Sequence, residues 1–289
     1  MTTGPVLACD LGGTRLRVAR VEADGAVRDK QVIPTPPDDP GALSRLLRRA
    51  LDTSKDFVGI VIGVPGPIDY EGGTPLRLPN LPGWEGHVSA RGLSEELDIA
   101  VLLANDADLA ALGEHRYGAG QGSRDMAYVT TSTGVGAGVI IDGRLLHGRL
   151  SLAEIGHTII DRATGDTVEY LGSGTALARL AGEDPGSVAA RAAAGEPDAV
   201  RLFAGVAGDL AIGVFNLVHC FTPDTVVIGG GMSQAGELIL GPVRAALTRC
   251  ADGCPASRVK VVRAQGGDDA GLRGAAAYWA ETRSAPNSA

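Results

Sequence analysis

One pattern occurs twice in this chain and constrains its fold more than any other feature. The segment GPVLACDLGGTRLRVARVEADGAV starts at residue 4 and has the order strand, glycine turn, strand, Asp-Gly turn, strand. The segment DMAYVTTSTGVGAGVIIDGRLLHG starts at residue 125 and follows the same order. A repeat of this kind, about 120 residues apart, predicts two related lobes.

Helical and strand patterns alternate through the rest of the chain. Residues 39–52 place Leu43, Leu46, Leu47 and Leu51 on one helical face, and the apolar run before GPID is typical of a buried strand. Further helices are predicted at residues 89–98, 168–181, 198–221 and 234–250. This alternation predicts an α/β protein whose mostly parallel sheets are covered by helices. We predict an N-terminal lobe at residues 1–118 and a C-terminal lobe at 119–289, with the last helix able to pack back on the N-terminal lobe.

Length and charge limit the classes of function. A chain of 289 residues is long enough for two domains that each bury a core. Its net charge of −8 argues against nucleic acid or an anionic membrane as the main partner, because both require concentrated Lys and Arg. The N-terminus has no signal-peptide pattern, and no apolar run reaches the ~18 residues of a membrane span. We therefore expect a cytoplasmic protein that acts on a small molecule.

Three glycine-rich turns follow predicted strands and are candidates for binding phosphate. They lie at Asp10–Thr14, Thr133–Gly138 and Gly229–Ser233. Backbone N–H groups in such turns can bind phosphate, and glycine allows a close approach. The sequence has neither a P-loop nor a G-x-G-x-x-G that opens a helix. Each turn alone is compatible with a simple hairpin, whereas the three together favour a nucleotide.

Two aspartates stand at the ends of buried strands. Asp10 suits either an Asx-type turn or an indirect contact with Mg²⁺, which usually keeps several waters. Asn105 and Asp106 stand where a strand stops and a helix begins. Asp106 could simply cap that helix, but open α/β sheets bind ligands at this edge. There its carboxylate could accept a proton from a substrate hydroxyl.

Glu154 and His157 have the spacing of half a metal site, but no cysteine or second histidine stands near them. Glu154 could instead cap a turn, and His157 could be a hydrogen-bonded histidine of the interior. Cys250 and Cys254 also have metal-compatible spacing, again without further ligands nearby. Tetrahedral zinc cannot be completed from these residues, so we predict no structural zinc.

These motifs together resemble those of the ROK family of sugar kinases, which includes bacterial glucokinase. The resemblance rests on CDLGGTRLRVARV, GVPGPID, LPNLPGW, LLANDADLAALGE, TTSTGVGAGVIIDGRLLHG, AEIGH, EYLGSGTAL and VVIGGGMS, which follow the family's order along nearly the whole chain. It implies a two-lobed actin-like, ribonuclease-H-like ATPase fold. It further implies that ATP and a sugar bind in the cleft between the lobes, and that the protein is a homodimer or a larger homo-oligomer.

The resemblance also assigns roles to residues of this chain. Asp106 is implied as the general base that accepts the proton of the sugar 6-hydroxyl. The residues implied to bind the sugar are Asn105, Glu154, His157, Glu169, Gly66 and Asn80. Those implied to bind the nucleotide are Asp10, Gly12, Gly13, Thr14, Thr133, Gly134, Gly230 and Gly231. Mg²⁺ is expected to be held mainly by the ATP phosphates, with Asp10 nearby.

The chain departs from the family between His157 and Glu169. Many family members carry a zinc-binding cysteine segment here, whereas HTIIDRATGDTVE has no cysteine and is shorter. Because that segment orients the histidine and the second glutamate, its loss bears mainly on which sugar is bound. The sequence predicts an ATP-dependent kinase for glucose or a related hexose. An amino sugar (of mannosamine, glucosamine or kanosamine type) or a cyclitol is the alternative substrate.

Two functions of other classes compete with this prediction. A sugar-sensing regulator of the same family would carry an N-terminal DNA-binding head, and the first strand begins too early to leave room for one. If the protein were an actin-like filament or a chaperone ATPase, no function would be assigned to Asn105, Glu154 and His157. Sugar-stimulated release of ADP discriminates among the three.

Overall fold

The computed structural model describes residues 4–249 and 254–284. The strands are β1 (Val6–Leu11), β2 (Arg15–Val21), β3 (Val27–Pro34), β4 (Gly59–Val64), β5 (Ile68–Asp69), β6 (Thr74–Pro75), β7 (Val101–Asn105), β8 (Met126–Thr131), β9 (Val135–Ile141), β10 (Arg144–Leu145), β11 (Thr225–Gly229) and β12 (Lys260–Arg263). The helices are α1 (Gly41–Leu51), α2 (Ala90–Leu97), α3 (Asp106–Tyr117), α4 (Val168–Gly172), α5 (Gly174–Ala181), α6 (Pro185–Ala193), α7 (Pro197–Phe221), α8 (Glu237–Thr248) and α9 (Ala270–Ser284).

The two large sheets have the same topology, as the internal repeat predicts. The first has the order β3-β2-β1-β4-β7 and the second β10-β9-β8-β11-β12. In the first sheet β1 pairs antiparallel with β2 and parallel with β4, and β4 pairs parallel with β7. In the second, β8 pairs antiparallel with β9 and parallel with β11. Parallel neighbours end at the same edge of a sheet, so in each sheet the glycine turn lies at that edge.

The chain divides into two compact units, and each unit draws on more than one segment. The first unit comprises Met1–Gly118, Arg144–Leu152 and Asp268–Ala289, and the second comprises Ala119–Gly143 and Ala153–Gly267. Two segments that follow residue 118 therefore belong to the first unit, and one of them contains α9.

Helices α3 and α9 are in direct backbone contact in the first unit. A β-carbon at Gly113 would overlap the carbonyl oxygen of Ala270, and one at Gly274 would overlap that of Leu109. Only glycine fits at such a crossing, because backbone atoms cannot move aside as a flexible side chain can. This contact fixes the helix that begins at Asp106.

The second unit is built around α7, a helix of 25 residues. By length and composition this helix could cross a membrane, but half of its most apolar window is buried inside the protein. It packs against α4, α6 and α8. A core helix of a folded domain has these properties.

The sequence predicted one helix at residues 168–181, which was wrong because the structure has two helices there. It did not predict α6. Ser173 breaks that segment into α4 and α5, and its hydroxyl accepts a hydrogen bond from the backbone N–H of Ala176. α6 begins at Pro185, and the carboxylate of Asp184 caps it by accepting a hydrogen bond from the N–H of Ser187. Both helix starts use the standard capping chemistry of Ser and Asp.

Candidate active site

The first unit brings two predicted aspartates to one edge of its sheet. Asp10 lies directly across from Gly63 of β4, and a β-carbon at Gly63 would lie 3.7 Å from the Cα of Asp106. Gly63 thus separates the two aspartates without placing a side chain between them. Gly63 was not predicted as a site residue, because it stands inside the apolar run before GPID.

Asn105, and not Asp106, caps helix α3. The Oδ1 atom of Asn105 accepts hydrogen bonds from the N–H groups of Ala107 and Asp108, at 2.9 and 3.2 Å. Its Nδ2 atom donates to the carbonyl oxygen of Gly66 at 3.0 Å, which leaves the second N–H of the amide for another acceptor. Asp106 is the first helical residue and its side chain is exposed. Asn105 provides the cap, and the exposed Asp106 carboxylate, whose Oδ1 also accepts a hydrogen bond of 2.8 Å from the N–H of Ala107, is accessible to a substrate hydroxyl.

Tyr70 and Asp108 form a buried pair that was not predicted from the sequence. Asp108 is 1% exposed, and its Oδ2 accepts a hydrogen bond of 2.6 Å from the Tyr70 hydroxyl. The same hydroxyl accepts one of 3.2 Å from the backbone N–H of Asn105. Burial, and then the neighbouring Asp108, raise the pKa of Tyr70, so its hydroxyl keeps its proton and donates. Tyr70 therefore ties the end of β7 to the first turn of α3, on either side of Asp106.

The first glycine turn is also held by hydrogen bonds. The N–H of Gly12 donates to the carbonyl oxygen of Arg15 at 3.0 Å, and the Thr35 hydroxyl donates to the carbonyl oxygen of Gly12 at 2.7 Å. A β-carbon at Gly13 would lie 2.5 Å from the Cβ of Asn80. The structure therefore places the exposed Asn80 against this turn.

Asp10 is bound to a cation of its own unit. Its Oδ2 accepts a hydrogen bond of 2.6 Å from the guanidinium of Arg17. Burial raises the pKa of Asp10, and Arg17 opposes that shift. With one oxygen engaged, Asp10 suits an indirect contact to Mg²⁺ better than direct coordination. The described part of the chain contains no group of three His, Cys, Asp or Glu side chains placed to hold a metal ion.

In the second unit Glu169 supports the second glycine turn. Its Oε2 accepts a hydrogen bond of 2.9 Å from the N–H of Val135, and it would overlap a β-carbon at Gly134. The Thr175 hydroxyl donates to the carbonyl oxygen of Thr133 at 2.7 Å. A residue predicted to bind sugar thus lies directly under a turn predicted to bind phosphate.

Glu154 and His157 lie with Glu169 in one electrostatic cluster. Burial raises the pKa of Glu154, His157 opposes the shift and Glu169 adds to it. No residue in the described ranges makes a hydrogen bond to the half-buried Glu154 carboxylate, and the His157 ring is exposed. Half-buried polar groups without a protein partner are suited to a ligand that carries hydroxyls.

The segment between His157 and Glu169 closes on itself through hydrogen bonds, and we call residues 158–168 the 158–168 hairpin. The N–H of Ile160 donates to the carbonyl oxygen of Asp166, and that of Val168 to Thr158. At the tip, Oδ1 of Asp161 accepts from the N–H of Ala163 at 2.7 Å in an Asx turn. The residues of this hairpin do not fit a tetrahedral zinc, and its backbone needs none to stay folded. Cys250 lies outside the described residues, so the absence of structural zinc stays a prediction.

A cavity of about 720 Å³ in the second unit adjoins the Thr133 turn. It is lined mainly by apolar groups, among them Phe203, Met232 and Leu238. The residues with polar side chains are Ser132, Thr133, Thr175, Asp184 and Gln234. Gly231 lines the cavity, and a β-carbon at Gly231 would meet no neighbouring atom within 4 Å. A β-carbon at Gly230 would instead overlap the carbonyl oxygen of Thr131. Gly230 also has φ of 80°, a conformation that favours glycine. An apolar cavity with few polar groups beside a glycine turn is suited to a nucleoside with its phosphates at the turn.

The sheet order, the glycine turns and the carboxylate at a strand end define an α/β protein of the ribonuclease-H-like class. The sequence model of the ROK family matches residues 6–282, and the chain belongs to that family. The fold predicted from the sequence is therefore confirmed.

Named relatives cover nearly the whole chain. Glucokinase of Halalkalibacterium halodurans is 34% identical, in an alignment that covers 92% of both chains. N-acetylmannosamine kinase of Citrobacter koseri is 35% identical over 93% of this chain and 97% of its own. The crystal structure of a ROK family glucokinase from Streptomyces griseus, in complex with glucose and AMPPNP, is 30% identical. It covers 95% of this chain and 99% of its own, with a TM-score of 0.80.

Proposed function

We propose that this protein is an ATP-dependent kinase that transfers the γ-phosphate to the 6-hydroxyl of glucose or a closely related hexose. The observation that carries the proposal is the exposed Asp106 carboxylate at the sheet edge, beside an Asn105 that already caps the helix. The glucokinase relative and the glucokinase complex with glucose and AMPPNP support glucose as the acceptor and ATP as the donor.

In the proposed reaction Asp106 acts as the general base. Its carboxylate accepts the proton of the 6-hydroxyl while the hydroxyl oxygen attacks the γ-phosphorus. The bond from that phosphorus to the oxygen of the departing ADP breaks. Phosphoryl transfer requires mainly positioning and charge neutralisation, so one base and well-placed donors suffice.

The remaining groups bind and orient. Glu154 and His157 would accept and donate hydrogen bonds to the sugar hydroxyls, with Asn105, Glu169, Gly66 and Asn80 as further contacts. A site built to pair hydroxyls rejects analogues that lack them. In the second unit, the Thr133–Gly134 turn would hold phosphate and Gly230–Gly231 would lie against the adenosine.

In the first unit, Asp10 and the Gly12–Thr14 turn would contact the phosphates and their metal. Mg²⁺, held mainly by the ATP phosphates, would neutralise charge on the transferred group. Asp10 would contact it through water, because Arg17 engages one carboxylate oxygen. As part of the same proposal, the enzyme is cytoplasmic. It forms a homodimer or larger homo-oligomer, and sedimentation equilibrium measures the mass of that assembly.

A second substrate class is favoured by a specific observation. The relative from Citrobacter koseri is named N-acetylmannosamine kinase, and the short 158–168 hairpin lies beside His157 and Glu169. An amino hexose of the mannosamine, glucosamine or kanosamine type is therefore the alternative acceptor, and a cyclitol is the next.

The test is a coupled assay of ADP release with glucose, mannose, glucosamine, N-acetylmannosamine and myo-inositol. Polyphosphate replaces ATP in a parallel series that measures product by phosphate incorporation. We expect the highest kcat/KM with glucose and ATP. A preference for an amino hexose would shift the proposal to the alternative. Sugar binding without ADP release would support a non-catalytic sensor and refute the kinase.

A further inference from the structure

His219 and Cys254 form a hydrogen-bonded pair in the second unit that has no role in the proposed kinase reaction. The Nε2 atom of His219 lies 3.1 Å from the Sγ of Cys254, and its Nδ1 atom lies 2.8 Å from the carbonyl oxygen of Phe215. A carbonyl oxygen only accepts, so Nδ1 carries a proton and donates it. In the neutral ring Nε2 is then an acceptor, and it faces the thiol.

The surroundings of His219 favour its protonated form. The residue lies in the last turn of the 25-residue helix α7, where the helix dipole stabilises a positive charge. Its ring also packs on that of Phe215, with the ring centroids 4.2 Å apart. The Phe215 carbonyl first, and then the Cys254 sulfur, raise the pKa of His219. A proton that leaves the Cys254 thiol for this imidazole is therefore stabilised where it arrives.

We propose that Cys254 is a nucleophilic thiol, activated by His219, that reacts with hydroperoxides and with soft alkylating agents. The arrangement contains a nucleophile, a base within hydrogen-bond reach and a third group that orients the base. Cys254 is partly exposed, so small reagents can reach it.

The reaction with hydrogen peroxide balances without any further partner. His219 takes the thiol proton, the sulfur attacks one peroxide oxygen, and the O–O bond breaks. The leaving hydroxide takes the proton from His219, which gives sulfenic acid and water. Sulfur loses two electrons and the peroxide gains them. With iodoacetamide the sulfur forms a bond to carbon, iodide leaves, and the proton passes through His219 to water.

Two other cysteines provide internal controls. Cys9 is 2% exposed, and burial raises the pKa of its thiol far above the ordinary range, so we expect it to be inert. Cys220 is exposed, and no residue of the described ranges makes a hydrogen bond to its sulfur. Cys220 therefore reports the reactivity of an exposed thiol on the same unit.

The experiment measures alkylation of each cysteine by iodoacetamide at pH 7, by peptide mass spectrometry on the full chain. It uses a Cys250→Ser background, because Cys250 and Cys254 fall on one tryptic peptide. An ordinary thiol is a few per cent thiolate at this pH, so an activated one should react about tenfold faster. We expect Cys254 to be alkylated about tenfold faster than Cys220, and to form sulfenic acid first when hydrogen peroxide and dimedone are added.

The variant His219→Gln should lower the Cys254 rate to that of Cys220, with sugar phosphorylation as the check that the protein is folded. The wild-type rate ratio needs no variant, so the proposal remains testable if His219→Gln does not fold. Equal rates for Cys254 and Cys220, or an unchanged Cys254 rate in His219→Gln, would overturn it.

Discussion

The two units share one sheet order but differ in how far the polar side chains of the proposed site are hydrogen-bonded within the protein. In the first unit, Asn105 caps α3 and Tyr70 bridges the cap to Asp108, so the groups around Asp106 are already paired. In the second, no described residue makes a hydrogen bond to the carboxylate of Glu154, although it is half-buried. The proposed base is therefore positioned by the protein alone, whereas the Glu154 carboxylate is left for the ligand to pair.

Electrostatics supports this difference. A buried carboxylate without a hydrogen-bond donor destabilises the folded state. Asp108 has such a donor, because it accepts a hydrogen bond of 2.6 Å from the Tyr70 hydroxyl. Glu154 has no such donor, and burial raises its pKa. Sugar hydroxyls would supply the missing donors. Sugar binding should thus depend on Glu154 of the second unit, and the chemical step on Asp106 of the first.

The largest expected loss of stability is at the α3–α9 crossing. In Gly274→Ala the new β-carbon overlaps the Leu109 carbonyl oxygen, so the helices must separate. We expect the free energy of unfolding to fall by about 3 kcal/mol, measured by urea denaturation. The proposed base would be lost with the helix that carries it. A variant as stable as the wild type would show that the helices do not cross at this glycine.

The next effect concerns the bridge beside Asp106. Tyr70→Phe removes the hydroxyl that donates to Asp108, and we expect the free energy of unfolding to fall by about 1–3 kcal/mol. We also expect kcat to fall more than the KM for sugar rises, because the base and not the sugar-binding cluster is disturbed. Tyr170→Phe is the matched control for stability, since Tyr170 is 49% exposed, and it should change little. Equal changes in the two variants would contradict the account of the bridge.

The sequence allowed the sheets and turns to be predicted because their signals are local. The turn at Gly12–Gly13 and its counterpart at Gly134 follow strands of clear apolar pattern, and the structure confirms both positions. Asn105 and Asp106 are both good capping residues, so no local rule decides which one caps.

The parts that were missed depend on distant contacts or on short helices. Tyr70 and Asp108 are 38 residues apart, and only the folded chain brings them together. The start of α6 has a recognisable signal in the sequence, Asp184 followed by Pro185. The break at Ser173 had only a weak signal, because a serine between two glycines can either cap a helix or continue one.

A pH-dependent prediction concerns Glu154. Its folded pKa lies above the ordinary value of 4.5, so the native state holds the proton longer than the unfolded state does. The contribution of Glu154 to stability is therefore greatest below pH 4.5 and is lost as the pH rises through its folded pKa. Glu154→Gln removes that loss, so the variant should gain stability relative to the wild type between pH 4 and pH 7.

Glu196 supplies the control for this prediction. Arg191 lowers the pKa of Glu196, so Glu196→Gln should lose stability relative to the wild type as the pH rises. Urea denaturation across this pH range compares the two variants. A Glu154→Gln curve that runs parallel to the wild type at every pH would show that Glu154 is not strained by burial.

The smallest effect is expected at a glycine where nothing is crowded. Gly205 lies in α7 of the second unit, with no atom within 4 Å of where a β-carbon would stand. Gly205→Ala should raise the free energy of unfolding by about 0.5–1 kcal/mol, since alanine favours a helix more than glycine does. Thermal unfolding checks the sign, and a loss of stability would mean that α7 is packed more closely there.

A base positioned by the protein, Asp106, and a carboxylate that the sugar pairs, Glu154, should respond differently to substitution. The most direct test compares kcat and the sugar Kd in Asp106→Asn and Glu154→Gln, using ADP release and calorimetry with glucose. We expect Asp106→Asn to lower kcat by about 10²-fold or more with little change in Kd. We expect Glu154→Gln to raise Kd by about tenfold or more, through the loss of a hydrogen bond to a charged group. A kcat near wild type in Asp106→Asn, or an unchanged Kd in Glu154→Gln, would contradict these expectations.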